Sequence, residues 1–471
     1  METVSLKQFA ATYPADTQTP IGMYMDFVGA GPGVLLQSAE VDGRLGRYSL
    51  IAWDFRLIAE CRAGRLSCSV WDSDLAPLRD FSGKEFLPGL RELMQCLSLA
   101  PPEDHPELPA LTRSLVGYFG YELAGLLEPA LSETLSSEDA ECVLALPGKQ
   151  ILFDHLYQRC VILGLQEKPS PERIRGEASY SGQTQAGEAV PLISKEEFCR
   201  GVQRTRDLIN SGEAIQVVHS CRFEAEFRGD PFQIYRRLRQ ANPSPYMFYL
   251  CFPELTMIGS SPEVLVRCTN GVLQERPIAG TRRRGENAAE DEGLAQELLS
   301  DPKERAEHVM LVDLGRNDLG RIAQPGSVSL EKFMQVERFS HVMHLTSYLQ
   351  ARARAGLDCL DVLGSTFPAG TVSGAPKIRA MELIQETEPH SRGPYAGAVG
   401  WLGLDKDSLN LDTGIAIRTM WLKGEKMTWQ AGAGVVSDSD PEAEWQECWN
   451  KARVLQGTIS QNGGGDVFAN R

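Results

Sequence analysis

Residues 397–431 read GAVGWLGLDKDSLNLDTGIAIRTMWLKGEKMTWQA, and this stretch decides the fold class of the chain. It contains three strand-like runs, at 397–402, 410–421 and 426–431, with Asp, Lys and Gly between them. Runs of this length separated by turn residues are typical of successive strands that pair antiparallel. The stretch therefore predicts a sheet in the C-terminal part of the chain.

Upstream of this stretch, helices and strands follow one another without the regular βαβ order of a parallel sheet. Ser194 and Glu197 form a capping-box pattern that predicts a helix ending near Gly212. Strand-like runs follow at 214–223, 246–252, 255–258 and 264–266. We therefore expect an α+β fold, with mixed, largely antiparallel sheets packed with helices.

One break in composition divides the 471 residues. Residues 166–190 are rich in Pro, Ser, Gly and charge, as linkers and exposed loops are. The segments on either side are near the usual size of a domain. We predict an N-terminal domain over 1–165, a linker or exposed loop over 166–192, a C-terminal domain over 193–462 and a tail over 463–471.

The net charge of −16 at pH 7 argues against several classes of partner. Proteins that bind nucleic acid or anionic membranes normally present a basic face, and the longest basic run here is 282–284. An anionic substrate would therefore have to be held by local cations or by a metal. No apolar run reaches the ~20 residues that cross a bilayer, and residues 1–20 lack the pattern of a secretory signal. Eleven cysteines without CxxC pairs indicate reduced thiols, so we expect a cytoplasmic protein.

Two segments far apart in the sequence carry the same acidic helix start. Residues 301–308 read DPKERAEH, and residues 440–447 read DPEAEWQE. Asp before Pro is a strong helix start, and two glutamates three positions apart then share one helix face. Carboxylate oxygens suit Mg²⁺, so the two helices are candidates for one shared magnesium site. The alternative is that these glutamates are solvated, with Glu304 in the position of a capping-box residue.

Three glycine-containing segments are candidates for turns that hold an anion, at 277–281, 368–377 and 431–434. Glycine lets backbone N–H groups approach a negative charge, and a helix N-terminus adds a favourable dipole. Thr371 and Lys377 flank such a helix start, and Arg418 lies in a predicted strand. Each segment alone is more often a plain tight turn, but together they fit a small polyanionic substrate.

The order of motifs resembles that of the chorismate-utilising enzymes, and most closely that of the anthranilate synthase component I family. The resemblance covers residues 193–460 and is carried by runs at 215–218, 242–247, 261–263, 277–281, 307–321, 340–345 and 370–381. The N-terminal segment is similar more weakly, at 34–38 and 46–49. The resemblance implies the chorismate-binding fold and a lyase of tryptophan biosynthesis, which aminates chorismate, releases pyruvate and leaves anthranilate.

The resemblance also implies roles for individual side chains. The ligands of a Mg²⁺ ion would be Glu304, Glu307, Glu444 and Glu447. Glu263 is similar to the acid that protonates the departing C4 hydroxyl of chorismate, and His344 to the residue that assists pyruvate loss. The implied substrate contacts are Gly280, Thr281, Thr371, Lys377, Tyr395, Arg418, Gly432 and Gly434. Without the motifs, His344, close to His341, would be interpreted as structural, and Tyr395 as a surface residue of a turn.

Two positions indicate which reaction of the family to expect. Family members that add water have Lys where this chain has Gln216, and a glutamine cannot deprotonate water. Aminodeoxychorismate synthases commonly have a nucleophilic Lys at the position of Ala279, which cannot attack. Both differences favour direct addition of ammonia, with anthranilate as the product. The alternatives are an aminodeoxychorismate synthase variant and a catalytically silent binding or regulatory relative, against which the intact glutamates and His344 argue.

Two further partners follow from the resemblance. The residues after the C-terminal domain are too few for a glutaminase domain, so ammonia is expected from a separate glutamine amidotransferase subunit. The family binds tryptophan as an inhibitor, and the matching residues here are Gln37, Ser38, Pro245, Tyr246 and Met247. Gln37 replaces a glutamate of the family and Gly414 replaces a cysteine. We therefore expect weak inhibition by tryptophan, or another ligand, unless an acid such as Glu40 compensates.

Overall fold

The structure is a computed structural model that describes residues 3–39, 46–136, 138, 141–169, 184–339 and 342–459. Glu40 and His341, which the sequence analysis named, lie outside the described residues, as does the predicted tail over 463–471. The predicted linker over 166–192 is described only at its two ends.

The described helices are spread along the whole chain. The α-helices are α1 (Pro20–Phe27), α2 (Phe86–Cys96), α3 (Ala124–Leu127), α4 (Lys195–Asn210), α5 (Pro231–Ala241), α6 (Ala288–Ser300), α7 (Pro302–Gly320), α8 (Cys359–Thr366), α9 (Gly370–Ser373), α10 (Lys377–Thr387) and α11 (Pro441–Ile459). Short 3₁₀ turns lie at Ala76–Phe81, Ala110–Thr112, Tyr121–Leu123 and Pro129–Leu131.

The strands fall into two series separated by α4. The N-terminal series and the strands just before α4 are β1 (Val4–Pro14), β2 (Gly33–Gln37), β3 (Tyr48–Arg62), β4 (Arg65–Val70), β5 (Leu97–Ala100), β6 (Ser114–Phe119), β7 (Cys142–Asp154), β8 (Arg159–Leu165), β9 (Thr184–Ala186) and β10 (Val190–Pro191). The C-terminal series is β11 (Gln216–Gly229), β12 (Tyr246–Cys251), β13 (Thr256–Ser261), β14 (Val264–Thr269), β15 (Val272–Glu275), β16 (Ile278–Arg283), β17 (Ser329–Arg338), β18 (Val342–Arg352), β19 (Gly374–Ala375), β20 (Ala398–Gly403), β21 (Leu411–Ile415), β22 (Thr419–Lys423) and β23 (Lys426–Val435).

The strand pairings confirm the predicted α+β class with largely antiparallel sheets. In the described part of the chain, every pairing is antiparallel except the one between β1 and β5. The long ladder of β11 with β23 and the ladder of β16 with β18 form two walls of one region. Helix α7 packs on β16 and β18, and α11 packs on β23, so the fold brings both acidic helices to these walls.

The N-terminal and C-terminal segments share sheets and a core. Strand β2 pairs with β12, and β6 pairs with β20. One buried cluster joins residues of both segments, among them Leu50, Leu115, Leu250 and Leu402. The boundary at residues 166–192 stays a prediction, and it would divide two segments that are paired along their strands.

The local helix signals are confirmed. The Ser194 hydroxyl accepts from the backbone N–H of Glu197, and the Glu197 side chain bonds back to Ser194, which completes a capping box at α4. Asp301 caps α7 by accepting from the N–H groups of the first turn, with Pro302 as its first residue. Asp440 accepts from the backbone of the first turn of α11 in the same way.

Two predicted elements differ from the structure. The predicted strand over 410–421 is two strands, because the chain leaves the ladder after Ile415 and Arg418 adopts a φ of 49°. The glycine segments at 277–281 and 431–434 are not turns: they belong largely to β16 and β23. Arg418 is therefore on a connection rather than in a strand.

The cysteine prediction is confirmed, since all eleven cysteines are free thiols. Among the residues that the structure describes, no helix combines the length and apolarity needed to cross a membrane.

Candidate active site

A cavity of about 840 Å³ opens between the β11–β23 wall, the β16–β18 wall and the N-terminal turns of α7 and α11. We call it the active cavity. It brings together thirteen of the fourteen residues proposed as catalytic, substrate-binding or metal-binding: Glu263, Gly280, Thr281, Glu304, Glu307, His344, Thr371, Tyr395, Arg418, Gly432, Gly434, Glu444 and Glu447.

Lys377 is the exception and is not part of the cavity lining. Its ammonium group donates to the carboxylate of Asp318 at 2.6 Å and to the carbonyl oxygen of Thr366 at 3.2 Å. The side chain is only 12% exposed, so both contacts hold it inside the protein at the start of α10. Lys377 therefore anchors the segment that presents Thr371, and a direct substrate contact is not what this geometry indicates.

Four carboxylates line the acidic side of the active cavity. Burial, together with the charges of Glu304 and Glu447, raises the pKa of Glu307 above its usual value. Burial also raises the pKa of Glu444, and the charge of Glu447 adds to this effect. Helices α7 and α11 therefore bring their glutamates to the same cavity, where the charge of Glu447 acts on both Glu307 and Glu444.

The carboxylate oxygens of these four glutamates are the type of ligand that a magnesium ion prefers. Among the described residues, no three His, Cys, Asp or Glu side chains form a ready-made metal cluster. Glu304 is paired with Arg282 at 3.0 Å and Glu447 with Lys451 at 2.7 Å. Mg²⁺ usually binds through one or two carboxylates and keeps several waters, so it does not require a closed protein cage.

Glu263 lies just before β14 and lines the same cavity. It is 9% exposed, and burial raises the pKa of its carboxyl to about 7, against the opposing effects of the Thr371 hydroxyl and Arg418. A carboxyl with a pKa near neutrality holds a proton in much of the population and can donate it. Glu263 can therefore donate a proton into this cavity.

His344 stands on β18 opposite Thr281 of β16. Its Nδ1 lies 3.0 Å from the carbonyl oxygen of Gly280 and 3.0 Å from the Thr281 hydroxyl. A carbonyl can only accept, so Nδ1 carries the hydrogen and Nε2 keeps a lone pair. Burial lowers the pKa of the ring, and this favours the neutral imidazole that can accept a proton.

Three glycines keep the walls of the cavity thin. A side chain at Gly280, where φ is 61°, would begin 2.8 Å from a carboxylate oxygen of Glu304. At Gly432 it would meet the Tyr395 hydroxyl at 2.8 Å, and at Gly434 the Gln216 amide nitrogen at 2.3 Å. Glycine at these three positions therefore leaves space for the Glu304 carboxylate, the Tyr395 hydroxyl and the Gln216 amide.

A buried arginine that the sequence analysis did not name holds several walls together. Arg392 is 1% exposed and pairs with Glu388. It donates to the carbonyl oxygens of Val372 at 2.6 Å and Val218 at 2.8 Å, which belong to cavity-lining segments, and its guanidinium stacks over the Tyr395 ring. The Glu388–Arg392 spacing of four along the chain is a visible signal for an ion pair. Its two carbonyl partners are distant in sequence and give no such signal.

A second cavity of about 310 Å³ lies away from the active cavity, between β2, β12 and β20. It gathers all five residues predicted to bind an inhibitor: Gln37, Ser38, Pro245, Tyr246 and Met247. Arg47, Trp401 and Asp412 complete much of its wall. We call it the second cavity.

Two substitutions shape the second cavity. The side-chain carbonyl of Gln37 already accepts from the Tyr235 hydroxyl at 2.7 Å. A side chain at Gly414 would begin 2.6 Å from the ring of Tyr246, whose hydroxyl donates to Asp412 at 2.7 Å. Gly414 thus lets the Tyr246 ring pack against the strand.

The chain is similar to known proteins over most of its length. A family model described as chorismate binding enzyme matches residues 66–457. Anthranilate synthase component 1 of Acetivibrio thermocellus is 40% identical over 479 residues, covering 95% of this chain and 94% of that protein. The same component of Aquifex aeolicus is 40% identical, covering 94% of this chain and 92% of that protein.

Two solved structures have the same fold as this chain. The crystal structure of anthranilate synthase component I from Streptococcus pneumoniae superposes with a TM-score of 0.71 at 34% identity, covering 94% of this chain and 98% of that chain. The menaquinone-specific isochorismate synthase of Escherichia coli has the same fold, with a TM-score of 0.71 at 19% identity, covering 98% of this chain and 96% of that chain.

Proposed function

The chain belongs to the family of chorismate-binding enzymes, and on that premise we propose that it is the catalytic component of anthranilate synthase. It is then a lyase that converts chorismate and ammonia to anthranilate and pyruvate. One observation carries the proposal: a general acid, a neutral histidine and four carboxylates from two helix starts line one cavity. Relatives named anthranilate synthase component 1 match this chain over almost its whole length.

Substrate placement would depend on both sides of the cavity. A Mg²⁺ ion held by Glu304, Glu307, Glu444 and Glu447 would supply positive charge for the ring carboxylate of chorismate. Arg418, Tyr395 and the backbone at Gly432 line the cavity and can receive the enolpyruvyl carboxylate. Because the whole chain is strongly acidic, these local groups must hold the dianion against the overall field.

Amination would use Glu263. Ammonia forms a bond to C2 of the ring, the ring double bonds shift, and the C4–O bond breaks. Hydroxide is a poor leaving group, so the Glu263 carboxyl donates its proton to the C4 oxygen, which departs as water. The added nitrogen then loses one proton and remains as an amino group.

Pyruvate elimination would use His344. Its Nε2 is available to take the proton from C2, while the C3–O bond to the enolpyruvyl group breaks and the ring becomes aromatic. The released enolpyruvate takes a proton from solvent at its methylene carbon and becomes pyruvate. The Gly280 carbonyl fixes the hydrogen on Nδ1 and thereby fixes which nitrogen acts as the base. Glu263 and His344 thus serve different steps.

The choice of nucleophile follows from two uncharged side chains. Gln216 lines the cavity with its amide beside Gly434, and it cannot generate hydroxide from water. Ala279 also lines the cavity and cannot form a covalent intermediate. Ammonia is therefore the proposed nucleophile, supplied by a separate glutamine amidotransferase subunit or by free ammonium in vitro.

A product assay tests the proposal. The purified chain is incubated with chorismate, ammonium and Mg²⁺, and products are separated by chromatography with fluorescence and mass detection. Anthranilate and pyruvate in equal amounts are expected. A 4-aminobenzoate precursor or isochorismate as sole product would overturn the proposal in favour of another branch of the family. No turnover at all would favour the silent relative.

A further inference from the structure

A smaller cavity shares three lining residues with the active cavity, Glu263 among them. Its volume is about 40 Å³, and Glu263, Leu311 and Thr371 line both spaces. Glu275 and Asp318 line the small cavity but not the active cavity. A space of this size that polar groups line has room for one or two waters.

Glu275 is a buried carboxyl for which the catalytic scheme has no use. It is 8% exposed, and its Oε1 has no hydrogen-bond partner. Asp318 is accounted for by the ammonium of Lys377, and the guanidinium of Arg276 is paired with Glu337. Burial, with the neighbouring charge of Asp318, holds the pKa of Glu275 well above its ordinary value. This shift favours the protonated form of Glu275, whose O–H can donate a hydrogen bond.

The reaction creates a need for such a donor. When Glu263 gives its proton to the leaving hydroxyl, a negative charge appears on a carboxyl that is almost fully buried. Arg418 and the Thr371 hydroxyl favour this charged form. A preorganised donor aimed at a developing charge accelerates the step that develops it, because it acts more strongly in the transition state than in the ground state.

We propose that the small cavity holds a water that joins the Glu275 carboxyl to the Glu263 carboxyl, and that Glu275 steadies the Glu263 carboxylate through it. Glu275 is then a positioning residue for the general acid. The inference rests on the proposed function, since it assigns Glu263 the role of proton donor. No bond of Glu275 breaks: its O–H donates to the water, and the water donates to Glu263.

The test compares an apolar and a polar replacement of Glu275. Glu275→Met removes the donor with little change of volume, and Glu275→Gln keeps a neutral donor in its amide N–H. A hydrogen bond to a carboxylate lowers its pKa, so loss of the donor should raise the pKa of Glu263 by about one unit and lower kcat about tenfold. KM for chorismate should be unchanged in both variants, and the Gln variant should stay within about twofold of wild type.

A pair of glycine variants in neighbouring helices gives an independent check. A side chain at Gly315 in α7 would begin 2.5 Å from Glu275 Oε2, so Gly315→Ala should displace the carboxyl and behave like the Met variant. At Gly293 in α6 nothing lies within 4 Å, so Gly293→Ala should leave kcat and the pH profile as in wild type. Circular dichroism confirms that all variants are folded.

The protonation of Glu263 is also read without turnover. The infrared carboxyl band that disappears in Glu263→Gln is titrated in the substrate-free protein, so this reading does not depend on which product forms. If the pKa of the Glu263 carboxyl and the pH dependence of kcat are both unchanged in Glu275→Met and in Gly315→Ala, the inference is overturned. Equal loss of kcat in the Met and Gln variants without a shift would assign Glu275 a merely structural role and would overturn it too. A further outcome is that wild type makes no anthranilate while the infrared titration still shows a higher Glu263 pKa in the Glu275→Met variant. In that case the proposed function fails, and the inferred effect of Glu275 on Glu263 is supported.

Discussion

The two cavities of this protein are built in the same way, but different side chains line them. Both are assembled from segments distant in sequence and lined by residues of the family's motifs. The active cavity keeps a charged or titratable group at each position that the proposed chemistry needs. The second cavity has Gln37 where the family has a carboxylate, and Tyr235 already occupies its carbonyl. Under the proposed roles, single side chains can therefore change the second cavity without changing the active cavity.

The strongest test of this contrast removes charge from the active cavity. Glu307→Gln or Glu447→Gln should reduce turnover to background, because a Mg²⁺ site depends on its carboxylates. The loss should exceed the roughly 10–100-fold typical of residues that only support metal ligands. Glu442→Gln on the same helix is the matched control, since Glu442 is 75% exposed. Turnover is measured at saturating Mg²⁺, and EDTA should abolish it in wild type. Full activity of the glutamine variants would show that these glutamates only decorate their helices.

The next largest effect concerns the general acid. Glu263→Gln should lower kcat by roughly 10²–10⁴-fold, the range that a general acid contributes. The pKa of Glu263 is raised to about 7, so the competent protonated form dominates below pH 7 and is lost as pH rises through 7. Wild-type kcat should therefore fall above about pH 7, and the residual activity of the variant should not show this fall. A flat wild-type profile between pH 6 and 9 would argue against Glu263 as the donor.

A smaller overall effect is expected when the two proposed steps are separated. His344→Met removes the base for pyruvate loss and leaves Glu263 in place, so amination should continue. An aminated, non-aromatic intermediate should accumulate and be visible by chromatography of quenched reactions. His390→Met, at an exposed position, is the control. If amination and pyruvate release decline together, the assignment of separate roles is wrong.

Much of the fold was predictable because its signals are local. Caps such as Ser194 and Asp301 act within one helical turn, and the predicted helices begin where these residues place them. The division of the predicted strand at Arg418 was not predictable. Residues 415–419 contain no Gly or Pro that would mark a break, and the positive φ of Arg418 is visible only in the folded chain. The pairing of β2 with β12 likewise depends on contacts far apart in sequence.

The same distinction holds for the candidate site. Glutamates three apart after an Asp-Pro helix start share a face by geometry alone, whereas the convergence of the two helices on one cavity was implied by the resemblance and not by the spacing. The position of Lys377 could not, because its partner Asp318 lies 59 residues away. Arg392 was overlooked for a similar reason, since its carbonyl partners on Val218 and Val372 are distant in sequence. Motifs identify side chains, but only the fold shows which neighbours they already have.

The smallest expected effect concerns the second cavity. Tryptophan's ammonium group needs an acceptor there, and a hydrogen bond to a charged partner contributes roughly 1.5–3 kcal/mol against about 1 kcal/mol for a neutral one. The Gln37 carbonyl is neutral and already accepts from Tyr235, so tryptophan should inhibit wild type weakly. Gln37→Glu would offer one oxygen to Tyr235 and another to the ammonium. A gain of about 1.4 kcal/mol is tenfold in affinity, so inhibition should tighten about tenfold in a tryptophan titration.

Tyr235→Phe frees the carbonyl without adding charge and should tighten inhibition less, while Glu40→Gln tests the nearest acid in sequence. Tight inhibition of wild type that Gln37→Glu leaves unchanged would mean that the second cavity recognises tryptophan through groups other than position 37.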